Sequence, residues 1–189
     1  MVFRKATIAL SLLATGFIST ASATVIDFNS ATGNPNGYTD QGVTFSNISA
    51  TTASFTGSPT GSQAIVISGN DISAFRADIG GGASSVSVDL GDFNSDPDRI
   101  FLSVFDSLNN ILNTVTFDLA SSFSGMKTLS VTAANIAYAT FGTTGDLGLG
   151  GIFVDNFTFE AASVPEPAVI GLMGLGLAAF GLRRRRTVS

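Results

Sequence analysis

The apolar residues between Thr24 and Ala162 are spaced for strands rather than for helices. Val, Ile, Phe, Thr and Ser dominate this part, Gly, Asn and Asp interrupt it repeatedly, and no long apolar pattern has the period of a helix. In the stretch SSVSVDL, Val86, Val88 and Leu90 alternate with polar residues, so one face of a strand would point to a core and the other to water. The pattern predicts an all-β domain.

Turn-forming stretches separate the other strand candidates. The segments RIFLSVFD and ILNTVTFD are joined by SLNN, which predicts a hairpin. We expect SSVSVDL to pair with the strand that follows the loop GDFNSDPD. Further strand candidates are TVIDF, GVTFSNI, AIVIS, AFRADI, KTLSVTA, IAYATFG and IFVDNFTFE. Such a series predicts a two-sheet β-sandwich of the jelly-roll kind. A β-solenoid is the main alternative, although the chain shows no repeat of fixed period.

Residues 1–23 have the three parts of a secretory signal peptide. Arg4 and Lys5 precede the apolar run ATIALSLLATGFI, and the small residues Ala21 and Ala23 follow it with A-x-A spacing. We expect the secretion machinery to export the chain and signal peptidase to cut after Ala23. A retained membrane helix is the alternative, but the run is short for a span.

The charges of the exported part, residues 24–162, are strongly unbalanced. The whole chain of 189 residues carries a net charge of −5, but three basic residues, Arg76, Arg99 and Lys127, face thirteen acidic ones in this part, a net charge of −10. Such a surface repels phosphate backbones, so no nucleic acid is expected as a partner. It suits an extracellular location or a hard cation such as calcium.

The residues that the chain lacks restrict its chemistry. Because it has no Cys and no His, disulfides, thiol nucleophiles, the Ser-His-Asp triad and the HExxH zinc site are all excluded. It has no Trp, and Tyr38 and Tyr138 are its two tyrosines, so few polar-tipped rings are available to stack on a sugar. We expect no enzymatic activity. The alternative is a secreted polysaccharide hydrolase that uses two of the aspartates, which would have to lie about 5 to 10 Å apart across a cleft.

The stretch GDFNSDPDR is the first candidate calcium site. Asp92, Asn94, Asp96 and Asp98 occupy alternate positions, as the first ligands of an EF-hand loop do. The remaining pattern departs from that loop, because a proline stands where the turn glycine belongs and a serine replaces the bidentate glutamate. An Asp-rich turn between strands explains the residues equally well.

Asp27 and Asp155 form a second candidate calcium site. They lie in the first and last predicted strands, which are often neighbours in jelly rolls. A structural calcium ion could join them, and the alternative is that each faces solvent.

The C-terminal segment, residues 163–189, has three parts in a fixed order. Pro165, Glu166 and Pro167 come first, followed by an apolar run at 168–182 and then by the cluster Arg183, Arg184, Arg185 and Arg186. The run predicts a single hydrophobic helix, although its fifteen residues fall short of the roughly 20 that cross a bilayer comfortably. The arginines would stay on the cytoplasmic side and orient it.

This order resembles the PEP-CTERM sorting signal of Gram-negative bacteria. The resemblance implies an exosortase as partner, transient anchoring in the inner membrane, cleavage near Pro165–Pro167 and delivery of the body to the cell surface or the extracellular space. It also implies an association with exopolysaccharide production and biofilm formation.

The body resembles the β-sandwich domains that often accompany this signal. The stretches VTFSN, SVFDSLNNILNTVTF and GGIFVDNFTFE carry that resemblance. It implies similarity to carbohydrate-binding jelly rolls, some with a structural calcium ion. Taken together, these features predict an exported structural, adhesive or glycan-associated component of an extracellular polysaccharide matrix.

Overall fold

The described part of the chain is built of β-strands. The computed structural model describes residues 22–48, 52–58, 61–68, 73–93, 96–145, 151–162 and Gly174. The strands are β1 (Ala23–Ile26), β2 (Thr39–Asp40), β3 (Val43–Asn47), β4 (Thr52–Gly57), β5 (Gln63–Ser68), β6 (Ser73–Asp92), β7 (Asp98–Phe105), β8 (Ile111–Leu119), β9 (Gly125–Thr143) and β10 (Ile152–Ala161). The all-β prediction is confirmed.

All ten strands belong to one hydrogen-bonded sheet. Its main order is β4-β5-β10-β6-β9-β7-β8, with β1 on β10, β3 on β6 and β2 on β3. Every pairing is antiparallel. The layers of this domain are therefore parts of one continuous sheet rather than two separate sheets.

The sheet bends where its two longest strands run side by side. In β6, Gly81 and Gly82 have φ angles of 86° and 78°, and the pairing with β9 shifts register between Asp78 and Ala83. In β9, Asn135 adopts a φ of 62° at the same level. Positive φ suits Gly and, less readily, Asn, and a bulge bends a strand.

The bend divides the sheet into two layers. The second half of β6 pairs with β10 and with the first half of β9, and β5, β4 and β1 extend this first layer from β10. The first half of β6 pairs with β3 and with the second half of β9, and β7 and β8 extend this second layer.

Aromatic side chains join the two layers. Phe157 of the first layer packs at 5.4 Å from Phe45 and 5.7 Å from Phe141 of the second, measured between ring centres. All three rings are fully buried and belong to one continuous apolar core. The folded sheet is therefore a two-layer structure with its core between the layers.

The structure confirms two local predictions and corrects a third. Val86, Val88 and Leu90 are buried, and β7 pairs with β8 as a hairpin. However, the partner expected for SSVSVDL is wrong. The second half of β6 pairs with β9 and β10, because the loop after Asp92 crosses to the other layer instead of turning back in its own.

Candidate functional site

An open cleft of about 580 Å³ lies at the edge of the second layer. Its lining residues are Arg99, Thr116, Phe117, Asp118 and Thr144. Three of them belong to β8, the last strand in the sheet order. The cleft therefore forms where the sheet ends.

Strand register places a charged pair in the cleft. Arg99 of β7 lies opposite Asp118 of β8. Its guanidinium donates from Nε at 2.7 Å and from Nη2 at 3.0 Å to the two carboxylate oxygens. This bidentate contact lowers the pKa of Asp118, through the hydrogen bonds first and the opposite charge second. The pair fixes both side chains in one geometry.

Phe117 is a large apolar side chain left partly open in this cleft. It lies opposite the buried Ile100 of β7, on the face that points towards the other layer, yet 41% of it is exposed. The Nζ of Lys127 lies 4.5 Å from the centre of its ring. Lys127 comes from the first half of β9, opposite Leu90, and thus from the first layer. The ring and the ammonium meet at the open side between the layers.

Together these groups have the chemistry of a polar-ligand site. The threonines and the Arg99–Asp118 pair offer hydrogen-bonding groups on the outer face of this layer. Strand alternation places the Phe117 ring on the inner face of the same edge strand, where it offers an exposed apolar surface. Among the described residues Lys127 forms no ion pair, since the two ion pairs there are Arg76–Asp78 and Arg99–Asp118. Its positive charge is available to a ligand.

The sequence did not single out Phe117 as a candidate site residue. Strand alternation does place Phe117 on the inward face. What alternation cannot show is that the opposite layer does not cover β8. The structure shows it through the exposed apolar residues of this strand, such as Ile111 at 66%, but the sequence of β8 does not carry exposure as a signal.

The two tyrosines considered as sugar platforms are both used in packing. Tyr138 is 7% exposed, with the Arg76 guanidinium 3.6 Å from its ring centre and the Phe105 ring stacked at 4.6 Å. Tyr38 packs against Phe45 and other rings of the core. Neither offers a free aromatic face.

The structure brings together three of the four residues of the first candidate calcium site. Asp92 ends β6 and Asp98 begins β7, and each is 1% exposed. Burial, followed by the charges of Asp92 and Asp96, raises the pKa of Asp98 to about 6. Asn94 lies outside the described residues. The charges of Asp92 and Asp96 are therefore near enough to Asp98 to affect its pKa.

The burial of Asp98 also bears on the hydrolase alternative. A carboxyl pKa near 6 would suit a general acid. A side chain that is 1% exposed cannot touch a polysaccharide, however. The raised pKa is therefore a property of a buried carboxylate.

The strands expected to carry the second candidate calcium site are neighbours, but its two aspartates differ in burial. β1 pairs with β10, as the sequence predicted. Asp27 follows β1, is exposed and accepts a hydrogen bond from the Asn29 amide at 3.1 Å. Asp155 is 4% exposed and accepts hydrogen bonds from Ser62 Oγ at 2.6 Å and the Asn156 amide at 2.8 Å. The alternative that both face solvent is therefore wrong for Asp155.

The pKa of Asp155 reflects that setting. Burial raises it, the hydrogen bonds from Ser62 and Asn156 oppose the rise, and the charges of Asp89 and Asp27 add to it. Within the ranges that the structure describes, no three acidic side chains are arranged as a finished metal centre. Calcium binding stays a prediction for both candidate sites.

Most residues of the predicted targeting segments lie outside the residues that the structure describes. These are Ala21, Pro165, Glu166, Pro167, Arg183, Arg184, Arg185 and Arg186. In the predicted helix 168–182 the structure describes Gly174, which is helical. Ala23 opens β1 opposite Glu160. Over the described ranges, no helix is both long and apolar enough to cross a membrane.

Comparisons with known proteins identify the tail and the fold. Residues 163–186 match the family described as the PEP-CTERM protein-sorting motif. No curated protein matches the chain. A cleaved adhesin domain of Lys-gingipain is similar in fold, with a TM-score of 0.50 and 14% identity over 73% of this chain and 99% of that one.

Two further structures show a weaker likeness. A family 29 carbohydrate-binding module complexed with mannohexaose has a TM-score of 0.49 and 20% identity, over 77% of this chain and 95% of that one. An arabinose-bound α-L-arabinofuranosidase has a TM-score of 0.46 and 10% identity over 61% of this chain, which spans 23% of the length of that enzyme.

Proposed function

Because the chain carries a PEP-CTERM protein-sorting motif, we propose that an exosortase processes it during export. The signal peptide directs the chain out of the cytoplasm, and the tail holds it in the inner membrane until the exosortase cuts near Pro165–Pro167. The β domain is then delivered to the cell surface or the extracellular space. There it is a structural or adhesive component of an exopolysaccharide or biofilm matrix.

In this proposal the β domain binds glycans without cleaving them. The observation that carries it is the Phe117 ring, 41% exposed on the edge strand β8, with the Arg99–Asp118 pair on the opposite face of the same strand. A sugar ring presents an apolar C–H face and several hydroxyls, and a glycan chain that passes around the edge of β8 would meet the Phe117 ring on one face and the hydrogen-bonding groups on the other. The hydroxyls of Thr116 and Thr144 add further hydrogen-bonding groups on the wall.

The charges at the cleft favour acidic sugars. The exported part has three basic residues, and two of them, Arg99 and Lys127, lie at this cleft or against its aromatic ring. A carboxylate-bearing sugar would find here the charge of Lys127, which forms no ion pair among the described residues, whereas the −10 net charge of the exported part repels anions elsewhere. The class of ligand we propose is therefore a uronic-acid-containing polysaccharide. We also propose that the folded sheet is a jelly-roll variant, which its two layers of antiparallel strands support.

A glycan array probed with the full chain in detergent tests this function. We expect binding to uronic-acid-containing polysaccharides, and no new reducing ends after long incubation with the bound species. Release of oligosaccharides would instead establish the hydrolase. The absence of binding to any immobilised polysaccharide would overturn the glycan proposal.

A further inference from the structure

A buried carboxylate, that of Asp98, stands at the start of β7, next to the loop from β6. Asp98 is 1% exposed, and its Oδ2 is buried without a hydrogen-bond partner in the described part of the chain. Of the three basic residues of the domain, Arg76 pairs with Asp78, Arg99 pairs with Asp118 and Lys127 lies over Phe117. A buried carboxylate in this state calls for a cation.

We propose that Asp92, Asp96 and Asp98 bind a calcium ion. Two of these side chains are as deeply buried as the core, and all three supply hard oxygen ligands of the kind that calcium prefers. Calcium takes about six to eight oxygens, so main-chain carbonyls and water would supply the remainder. The carboxylates are not a finished centre, and the ion would draw them together.

The position of the three aspartates gives the ion a structural role. Asp92 lies opposite Gly125 at the start of β9, and Asp98 lies opposite Leu119 at the end of β8. Two connections cross between the layers here, from β6 to β7 and from β8 to β9. An ion at this point fastens the layers together where the chain passes between them.

The same ion would support the cleft. Arg99 directly follows Asp98, and its carbonyl accepts a hydrogen bond from the Thr144 amide at 2.9 Å. Fixing Asp98 therefore fixes the start of β7, from which Arg99 reaches Asp118. The calcium proposal itself stands on the buried aspartates and does not depend on glycan binding.

Calorimetric titration of the full chain with calcium chloride, after EDTA treatment and without polysaccharide, tests the site. The variant is Asp98→Asn, which keeps the shape and removes one charge. Its matched control is Asp40→Asn, which removes the same charge near β3. A second control, Asp155→Asn, probes the other candidate site.

We expect wild type and both controls to bind calcium at this site, and Asp98→Asn to weaken that binding at least about tenfold. Calcium should also raise the melting temperature of wild type but not that of Asp98→Asn. The proposal is overturned if wild type takes up no calcium, or if Asp155→Asn abolishes all binding while Asp98→Asn leaves it unchanged. Asp98→Asn removes a buried charge, so we expect the variant to fold without calcium. A cooperative melting transition in EDTA checks that it does.

Discussion

The Lys127 ammonium lies 4.5 Å from the centre of the Phe117 ring, and the two residues come from opposite layers of the folded sheet. The contact is a cation–π interaction at an open side of the domain. The Lys127 charge forms no ion pair among the described residues, and it lies next to the partly exposed Phe117 ring. This relationship defines the ligand class proposed for the cleft.

Lys127→Met should separate acidic from neutral ligands. The variant keeps an apolar side chain against Phe117 but removes the charge. We expect affinity for a uronic-acid-containing polysaccharide to fall by roughly tenfold, about 1.4 kcal/mol, and affinity for a neutral polysaccharide to change little. Affinity electrophoresis in gels containing each polysaccharide measures both. An equal loss for the two ligands would assign Lys127 a packing role instead.

Binding at the cleft should resist mild acid. The Arg99 hydrogen bonds lower the pKa of Asp118, so its ion pair is fully present above the ordinary aspartate pKa and is lost as the pH falls through the lowered value. We expect glycan affinity to stay constant from about pH 8 to pH 5 and to decline only below about pH 4. In Asp118→Asn, the loss of glycan affinity at low pH that we assign to this ion pair should be absent. A wild-type affinity that already falls between pH 7 and pH 5 would contradict this assignment.

The bend of β6 should be sensitive to a single methyl group. Gly82 has a φ of 78°, and a Cβ there would lie 3.4 Å from the Ile136 carbonyl oxygen. Gly82→Ala should therefore lower the free energy of unfolding by about 1 to 2 kcal/mol. Gly57→Ala is the control, because a Cβ at Gly57 meets no heavy atom within 4 Å. Urea denaturation compares the two, and equal stabilities would show that the bend does not require glycine.

The tail should be missing from the delivered protein. In cells that contain an exosortase, the intact mass of the surface form should lack the sequence RRRRTVS, because the cut that we propose lies upstream of it. In cells without the enzyme, the mass should include Ser189. A surface form that retains Ser189 in exosortase-containing cells would contradict processing.

The local patterns of the sequence predicted strands better than they predicted connections between them. The hairpin of β7 and β8 was predictable because both strands and their turn are contiguous. AFRADI and SSVSVDL were separate candidates, yet they form the single strand β6 through Gly80, Gly81 and Gly82. Glycines normally interrupt a strand, but β9 bends beside β6 and keeps the pairing on both sides of the bulge. Only the long-range pairing reveals that continuity.

The candidate site was predictable in part for the same reason. Alternate spacing of Asp92, Asp96 and Asp98 is a local feature, and the charges of the first two lie near enough to Asp98 to raise its pKa. The cleft joins residues of β7, β8 and the segment after β9, and its exposed ring depends on where the first layer ends. No period within β8 contains that information.

Whether the exposed Phe117 ring binds glycan is tested by isothermal titration of Phe117→Ala with the polysaccharide that binds most tightly on the array. Its matched control is Ile48→Ala, which removes an apolar side chain that is 52% exposed and lies beyond the end of β3. Thermal melting first shows that both variants are folded. We predict that Phe117→Ala loses at least about tenfold in affinity while Ile48→Ala stays within about twofold of wild type. A Phe117→Ala protein that is folded and binds as tightly as wild type would contradict it.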